Sequence, residues 1–177
     1  MKKPVTAIML FVLFASLAYG QDTSMARKFL EKHATVKNLC GKPAPIFSAR
    51  TMQEMPINIS ELKGKVVVLS VWTTTCGPCI REINAFKYFK NKYKGKNIEY
   101  IAIAPLDKQQ DIKRFLANHT MVFKVWYAPS PNFVKDYLAD EYPTNYVIDR
   151  NGMIRYSQVG YSKDGYKDIS EVVQKCM

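Results

Sequence analysis

The stretch "KGKVVVLSVWTTTCGPCIREI", residues 63–83, decides how the chain is read. Val66 to Trp72 is apolar and largely β-branched, as expected of a strand buried on both faces of a sheet. Three threonines lead to Cys76-Gly77-Pro78-Cys79, after which Ile80, Ile83, Phe86 and Phe89 recur at helical spacing to about Tyr93. A strand therefore hands over to a helix at the first cysteine. Cys76 falls at or just before the first turn, where unpaired backbone N–H groups and the positive helix end favour a thiolate. Pro78 needs no helical hydrogen-bond donor there. Cys79 follows one turn later, within reach of a disulfide.

Three readings of this pair compete. A static bridge across two intervening residues closes too small a loop to stabilise a domain much. A structural zinc site normally takes four ligands. The chain has one such pair, and its two histidines, His33 and His119, lack ligand spacing and read as surface residues. A redox dithiol fits best: Cys76, nearer solvent, attacks a substrate disulfide and Cys79 resolves the mixed disulfide. Glu82 lies three residues beyond Cys79 on the same side of the helix. It is either a carboxylate that takes the inner thiol's proton or an ordinary exposed glutamate.

Working outward, residues 24–38 form a short amphipathic helix, and Pro43 and Pro45 prevent helix in the next segment. "INISELKGK" reads as a short strand and a turn at Gly64. "IEYIAIA", residues 98–104, is a second buried strand, parallel to the first across the intervening helix. "DKQQDIKRFLANH" is a helix capped by Asp107, with Ile112, Phe115 and Leu116 inward. "VFKVWYA" alternates as a strand, and "SPNFVKDYLA" is a short helix capped by Ser130. "TNYVIDRNGMIRYSQVG" is a hairpin whose Asn151-Gly152 supplies the φ > 0 residues of a two-residue turn. A final helix covers "KDGYKDISEVVQKC". Strands alternating with helices and closing on a hairpin imply an α/β fold, a mixed sheet with helices on both faces.

The N-terminus has a different character. Lys2 and Lys3 precede an uncharged apolar run from Ala7 to Tyr19, and Ala18 and Gly20 suit a cut after Gly20. This is the layout of a secretory signal, residues 1–20, and the run is too short for a comfortable permanent span. Its removal leaves 157 of 177 residues, one domain with no stable membrane span, outside the cytoplasm where disulfides persist. The formal charge is +11. The lysines are interspersed with apolar positions, and the densest run, "KYFKNKYKGKN", reads as the solvated face and end of a helix. No nucleic-acid motif accompanies it, and no nucleic-acid partner is expected.

The quoted stretch also resembles the active-site region of extracytoplasmic thioredoxin-like proteins of the TlpA/ResA type. The likeness extends through "GKPAPIFSA", "ISELKGK" and "EYPTNYVIDRNGMIRYSQVG", and covers roughly Gly41 to Cys176. It implies a thioredoxin fold with an N-terminal helical extension, residues 21–40, and a central βα insertion, the thioredoxin-like domain being residues 41–177. It implies thiol–disulfide exchange at Cys76 and Cys79, tuned by Glu82, with neither cofactor nor metal. It places a cis-proline at Pro143, where Tyr142 and Pro143 join Trp72, Gly77 and Pro78 in binding the substrate chain. The chain departs from the pattern in two places. Ser70 stands where cytoplasmic thioredoxins carry a buried aspartate, and Thr75 where a tryptophan often precedes the first cysteine. "TTTC" also faintly resembles the T-x-x-C of peroxiredoxins, but Leu69 stands where their proline is expected.

Cys40 and Cys176 fall near the ends of the mature domain. They pair and close a long loop, or remain separate thiols. The implied activity is reduction of disulfides in extracytoplasmic proteins, apocytochrome c among them, fed by an inner-membrane thiol electron donor. The Gly-Pro pair between the cysteines is shared with reducing thioredoxin. An oxidase or isomerase on the same fold, and a binding module without catalysis, are the competing readings.

Overall fold

A computed structural model describes residues 24–177, so the expected leader, residues 1–20, lies outside the described residues. The chain divides into two units, Met1–Ala34 and Thr35–Met177. Helix α1 covers residues 24–37, and the described part of the first unit is helical throughout. The second unit takes in residues 35–40, where Val36 is fully buried. Ser157 Oγ donates to the Val36 carbonyl at 3.0 Å.

The second unit is built on seven strands: β1 (Ser48–Thr51), β2 (Pro56–Asn58), β3 (Val66–Val71), β4 (Ile98–Ala104), β5 (Lys124–Tyr127), β6 (Thr144–Ile148) and β7 (Ile154–Val159). They lie in the order β2-β1-β5-β4-β3-β6-β7. The central β3 and β4 are parallel, as are β4 and β5, while β6 runs antiparallel to β3 and β7 to β6. All six residues of β3 are buried, which is why that strand is apolar on both faces.

Strand alternation splits the core in two. Val66, Val68, Tyr100, Ala102, Val125 and Val147 face one cluster. Helices α2 (Gly77–Lys92), α3 (Gln109–Asn118) and α5 (Gly165–Cys176) cover it with Phe86, Phe89, Ile112, Phe115, Ile169 and Val173. Val67, Leu69, Val71, Ile101, Ile103 and Tyr146 face the other. There Val36, Phe47, Leu62 and helix α4 (Phe133–Asp136) close the layer. The expected mixed sheet with helices on both faces is present.

Four local expectations need correction. Only Ile57 and Asn58 of "INISEL" belong to strand β2; Ile59–Leu62 is a 3-10 turn fixed by a capping box between Asn58 and Glu61. Asp107 does not cap α3, whose N-cap is Lys108 with no side-chain bond. Ser130 likewise makes no side-chain cap on α4; its carbonyl accepts the Phe133 N–H instead. The hairpin is not a two-residue turn. Only Gly152 of the Asn151-Gly152 pair has positive φ, and the link spans residues 149–153. Asp149 Oδ1 accepts from the N–H groups of Asn151 and Met153, so a side chain closes the turn.

Candidate functional site

The register of β3 against β6 explains where the site forms. Val71, the last residue of β3, pairs with Thr144, the first of β6. The loop that leaves β3 toward Cys76 and the chain that enters β6 through Tyr142 and Pro143 therefore meet at one end of the sheet. The Tyr142–Pro143 peptide bond is cis. Tyr142 is half-buried and packs against both core clusters, while Pro143 is buried.

The loop between β3 and α2 is pinned by its own threonines. Thr75 N–H donates to Thr73 Oγ1 at 3.2 Å, and the two hydroxyls lie 2.9 Å apart. Thr74 gives its N–H and its hydroxyl to the two carboxylate oxygens of Asp107, each at 2.9 Å. Asp107 thus anchors the cysteine loop from the loop that follows β4, a role that its own neighbourhood in sequence does not signal.

Cys76 is the N-cap of α2, with Gly77 and Pro78 in the first turn. Its sulfur accepts the Cys79 N–H at 3.2 Å, taking the place of the usual capping oxygen. Cys76 and Cys79 are joined by a disulfide with an S–S distance of 2.02 Å. The two sulfurs differ in access: Cys76 is half-buried, whereas Cys79 is 1% exposed and belongs to the core under α2. Gly77 is exposed, and a Cβ there would meet nothing nearer than Arg81 at 3.9 Å. Trp72 is 1% exposed and packs on Phe115 with ring centroids 5.0 Å apart. Its ring is part of the first-face core.

Glu82 is not the exposed helix residue that its spacing allowed. It is 4% exposed, facing the sheet, where Asn145 Nδ2 donates to its Oε2 at 2.9 Å. Burial pushes its pKa from 4.5 up to about 7, partly offset by the Asn145 bond. A carboxyl poised near neutrality one helical turn from Cys79 can exchange a proton with a thiol. Asn145 was not singled out from sequence. Its signal was strand alternation: it shares a face with Val147, the face that α2 covers.

Cys40 and Cys176 do not pair; both are free thiols. Cys40 sits in the segment that packs on the second face, where its sulfur lies 3.2 Å from Ser157 Oγ. Cys176 packs against the first-face core from the end of α5. Of the two arrangements open to these cysteines, the structure has the separate thiols. His119 lies just beyond α3, stacked on Phe115 at 4.0 Å, with Nδ1 3.0 Å from the Phe115 carbonyl oxygen.

Residues 40–157 match the AhpC/TSA family. The thiol-disulfide oxidoreductase ResA of Bacillus cereus is 30% identical over 120 residues, 68% of this chain and 69% of that protein. The crystal structure of a candidate thiol:disulfide interchange protein DsbE from Chlorobium tepidum superposes with a TM-score of 0.70 at 27% identity. It covers 77% of this chain and 96% of its own. A candidate thiol-disulfide oxidoreductase from Bacteroides vulgatus gives a TM-score of 0.68 at 25% identity, covering 80% and 99%. With its mixed sheet, its helix-capping Cys-Gly-Pro-Cys pair and these relatives, the chain belongs to the AhpC/TSA family as a ResA-like thiol-disulfide oxidoreductase of thioredoxin fold.

Proposed function

We propose that the protein reduces disulfides in proteins outside the cytoplasm, with Cys76 as nucleophile, Cys79 as resolving thiol and Glu82 as proton acceptor. The observation that carries this reading is the asymmetry of the pair: an accessible Cys76 at a helix N-terminus and a core Cys79 one turn from a buried carboxyl. The Cys76 thiolate attacks a substrate disulfide, forms a mixed disulfide and releases one substrate thiolate. Cys79 passes its proton to Glu82, attacks Cys76 Sγ and expels the second substrate thiolate. Two electrons leave the dithiol, and the Cys76–Cys79 disulfide is the product. Pro78, Gly77, Tyr142 and Pro143 border the cysteines and present backbone and ring edges to an extended substrate chain. Trp72 supports that edge from below.

The leader-like residues 1–20 support an extracytoplasmic location, and the reducing direction then requires an inner-membrane thiol donor. Apocytochrome c is the substrate class suggested by the resemblance to TlpA/ResA-type proteins. The Gly-Pro pair supports a reducing potential near that of thioredoxin, about −270 mV. Equilibration of the Cys76–Cys79 pair against glutathione, with Cys40 and Cys176 replaced by serine, tests the direction. A potential of about −250 mV or lower is expected; one of about −150 mV or higher would make the protein an oxidant or isomerase.

A further inference from the structure

Asn145 occupies an unusual place for an amide. It is fully buried on β6, opposite Ser70 of β3 in the sheet register. Its Nδ2 donates to Glu82 Oε2, while its Oδ1 is buried with no hydrogen-bond partner among the described residues. A buried acceptor without a partner is costly and uncommon in a folded core. It lies on the same side chain that holds the Glu82 carboxylate, one helical turn from Cys79.

We propose that Asn145 is a positioning residue for Glu82, holding the carboxylate by Nδ2 while it is ionised and accepting from it by Oδ1 once it is protonated. The inference rests on the reading above, in which Glu82 takes the Cys79 proton. A half-turn of the amide about Cβ–Cγ exchanges donor for acceptor in the same place. In each state one amide atom bonds Glu82 and the other goes without; the bond to the ionised carboxylate is charge-assisted and the stronger, so on balance Asn145 favours ionisation. During resolution, Cys79 S–H loses its proton to a Glu82 oxygen, and the Cys79 thiolate forms the bond to Cys76 Sγ. When an incoming donor thiolate cleaves the Cys76–Cys79 bond at Cys76, Cys79 leaves as a thiolate and recovers that proton. Glu82 stores it between the two half-reactions.

Few other ionisable groups bear on this pair. Besides Cys76 and Cys79 on its own helix, Tyr156 of β7 feels the Glu82 charge, and Asp168 of α5 acts on Tyr156. Ser70 on β3 and Asn145 on β6 are polar and uncharged.

The test uses the oxidised protein carrying a carbon-13 label at the glutamate carboxyls, titrated by NMR. The Glu82 midpoint is expected near 7 in the unaltered chain. It should rise by about one pH unit in Asn145→Leu, which keeps the branched side-chain shape and removes the donor. Closure of a Cys76 mixed disulfide with nitrobenzoate thiol should slow about fivefold at pH 7 in that variant, since the shift takes Glu82 from about half to about a tenth ionised. If Asn145→Leu does not fold, Asn145→Thr retains a hydroxyl that both donates and accepts. It should shift the midpoint in the same direction by less. An unmoved midpoint, with closure still slowed by Glu82→Gln, would overturn the role of Asn145 alone. A closure rate and pH profile unchanged by Glu82→Gln would overturn the proton-acceptor reading and this inference with it.

Discussion

Glu82 shows how one side chain's environment sets both chemistry and stability. A carboxyl with a folded pKa of about 7 binds its proton more tightly than in the unfolded chain, where the value is 4.5. The folded state therefore holds more protons between these limits, and stability falls as pH rises from 4.5 to about 7. At about 1.4 kcal/mol per pH unit, the ionised carboxylate costs about 3 kcal/mol above that window. Glu82→Gln should accordingly stabilise the oxidised protein by up to about 3 kcal/mol at pH 8 and by little at pH 4.5. Urea unfolding at the two pH values reads this directly. Equal gains at both would mean that the stabilisation has another source. A group that lowers stability in its charged form, next to a dithiol, is what a proton acceptor at a reaction centre requires.

The elements around the cysteines are held by side chains that bridge them. Asp107, between β4 and α3, takes both polar hydrogens of Thr74 and so ties the cysteine loop to the neighbouring crossover. Asp107→Ala should cost about 1–3 kcal/mol and speed amide exchange at Thr74, leaving the β3 amides protected. Exchange at Thr74 that does not change would show the loop to be held by its threonines alone. Asp149 does the same for the hairpin between β6 and β7. Burial alone would raise its pKa. The N–H of Met153, the Arg155 guanidinium at 2.7 Å and the N–H of Asn151 together bring it below 3.8. With a depressed folded value, its contribution is present above the unfolded pKa and lost as pH falls through the folded one. The short local bonds of these turns depend on backbone geometry rather than on the dipeptide pattern, which is why Asn151-Gly152 misled and Asp107 passed for a helix cap.

Across the whole molecule, the sheet is the partition that decides which residues meet. Cys40 is exposed beside Ser157 while Cys176 packs on the first-face core, and burial pushes the Cys176 thiol up. The oxidised protein should therefore carry two thiols that react with a thiol-specific reagent in denaturant without reductant. In the native state Cys40, which is exposed, should react well before Cys176. Absence of reactive thiols in denaturant would mean that the terminal cysteines are bridged after all. The layered core also accounts for the concentration of function at one end of β3. That strand is buried along its whole length, its C-terminal end opens into the Cys-Gly-Pro-Cys turn, and its antiparallel partner β6 brings the cis Tyr142–Pro143 bond to the same edge.

What the sequence determined by itself was local. The apolar run of β3, the helical spacing of α2, and the position of Cys76 at the helix start with Cys79 one turn on each depend on residues within a few positions of one another. Their physics is backbone geometry and periodicity, readable in one dimension. Tertiary structure alone decided the rest. Glu82 is buried because α2 lies on the sheet, and its partner Asn145 stands 63 residues away on β6. The proton affinity of Glu82 comes from desolvation, a property of the assembled interior that no spacing encodes. Cys40 is left at the surface while Cys176 packs on the first-face core, and Trp72 is withdrawn from the surface against Phe115 of α3. Contacts between distant segments and the exclusion of water arise only when the layers close.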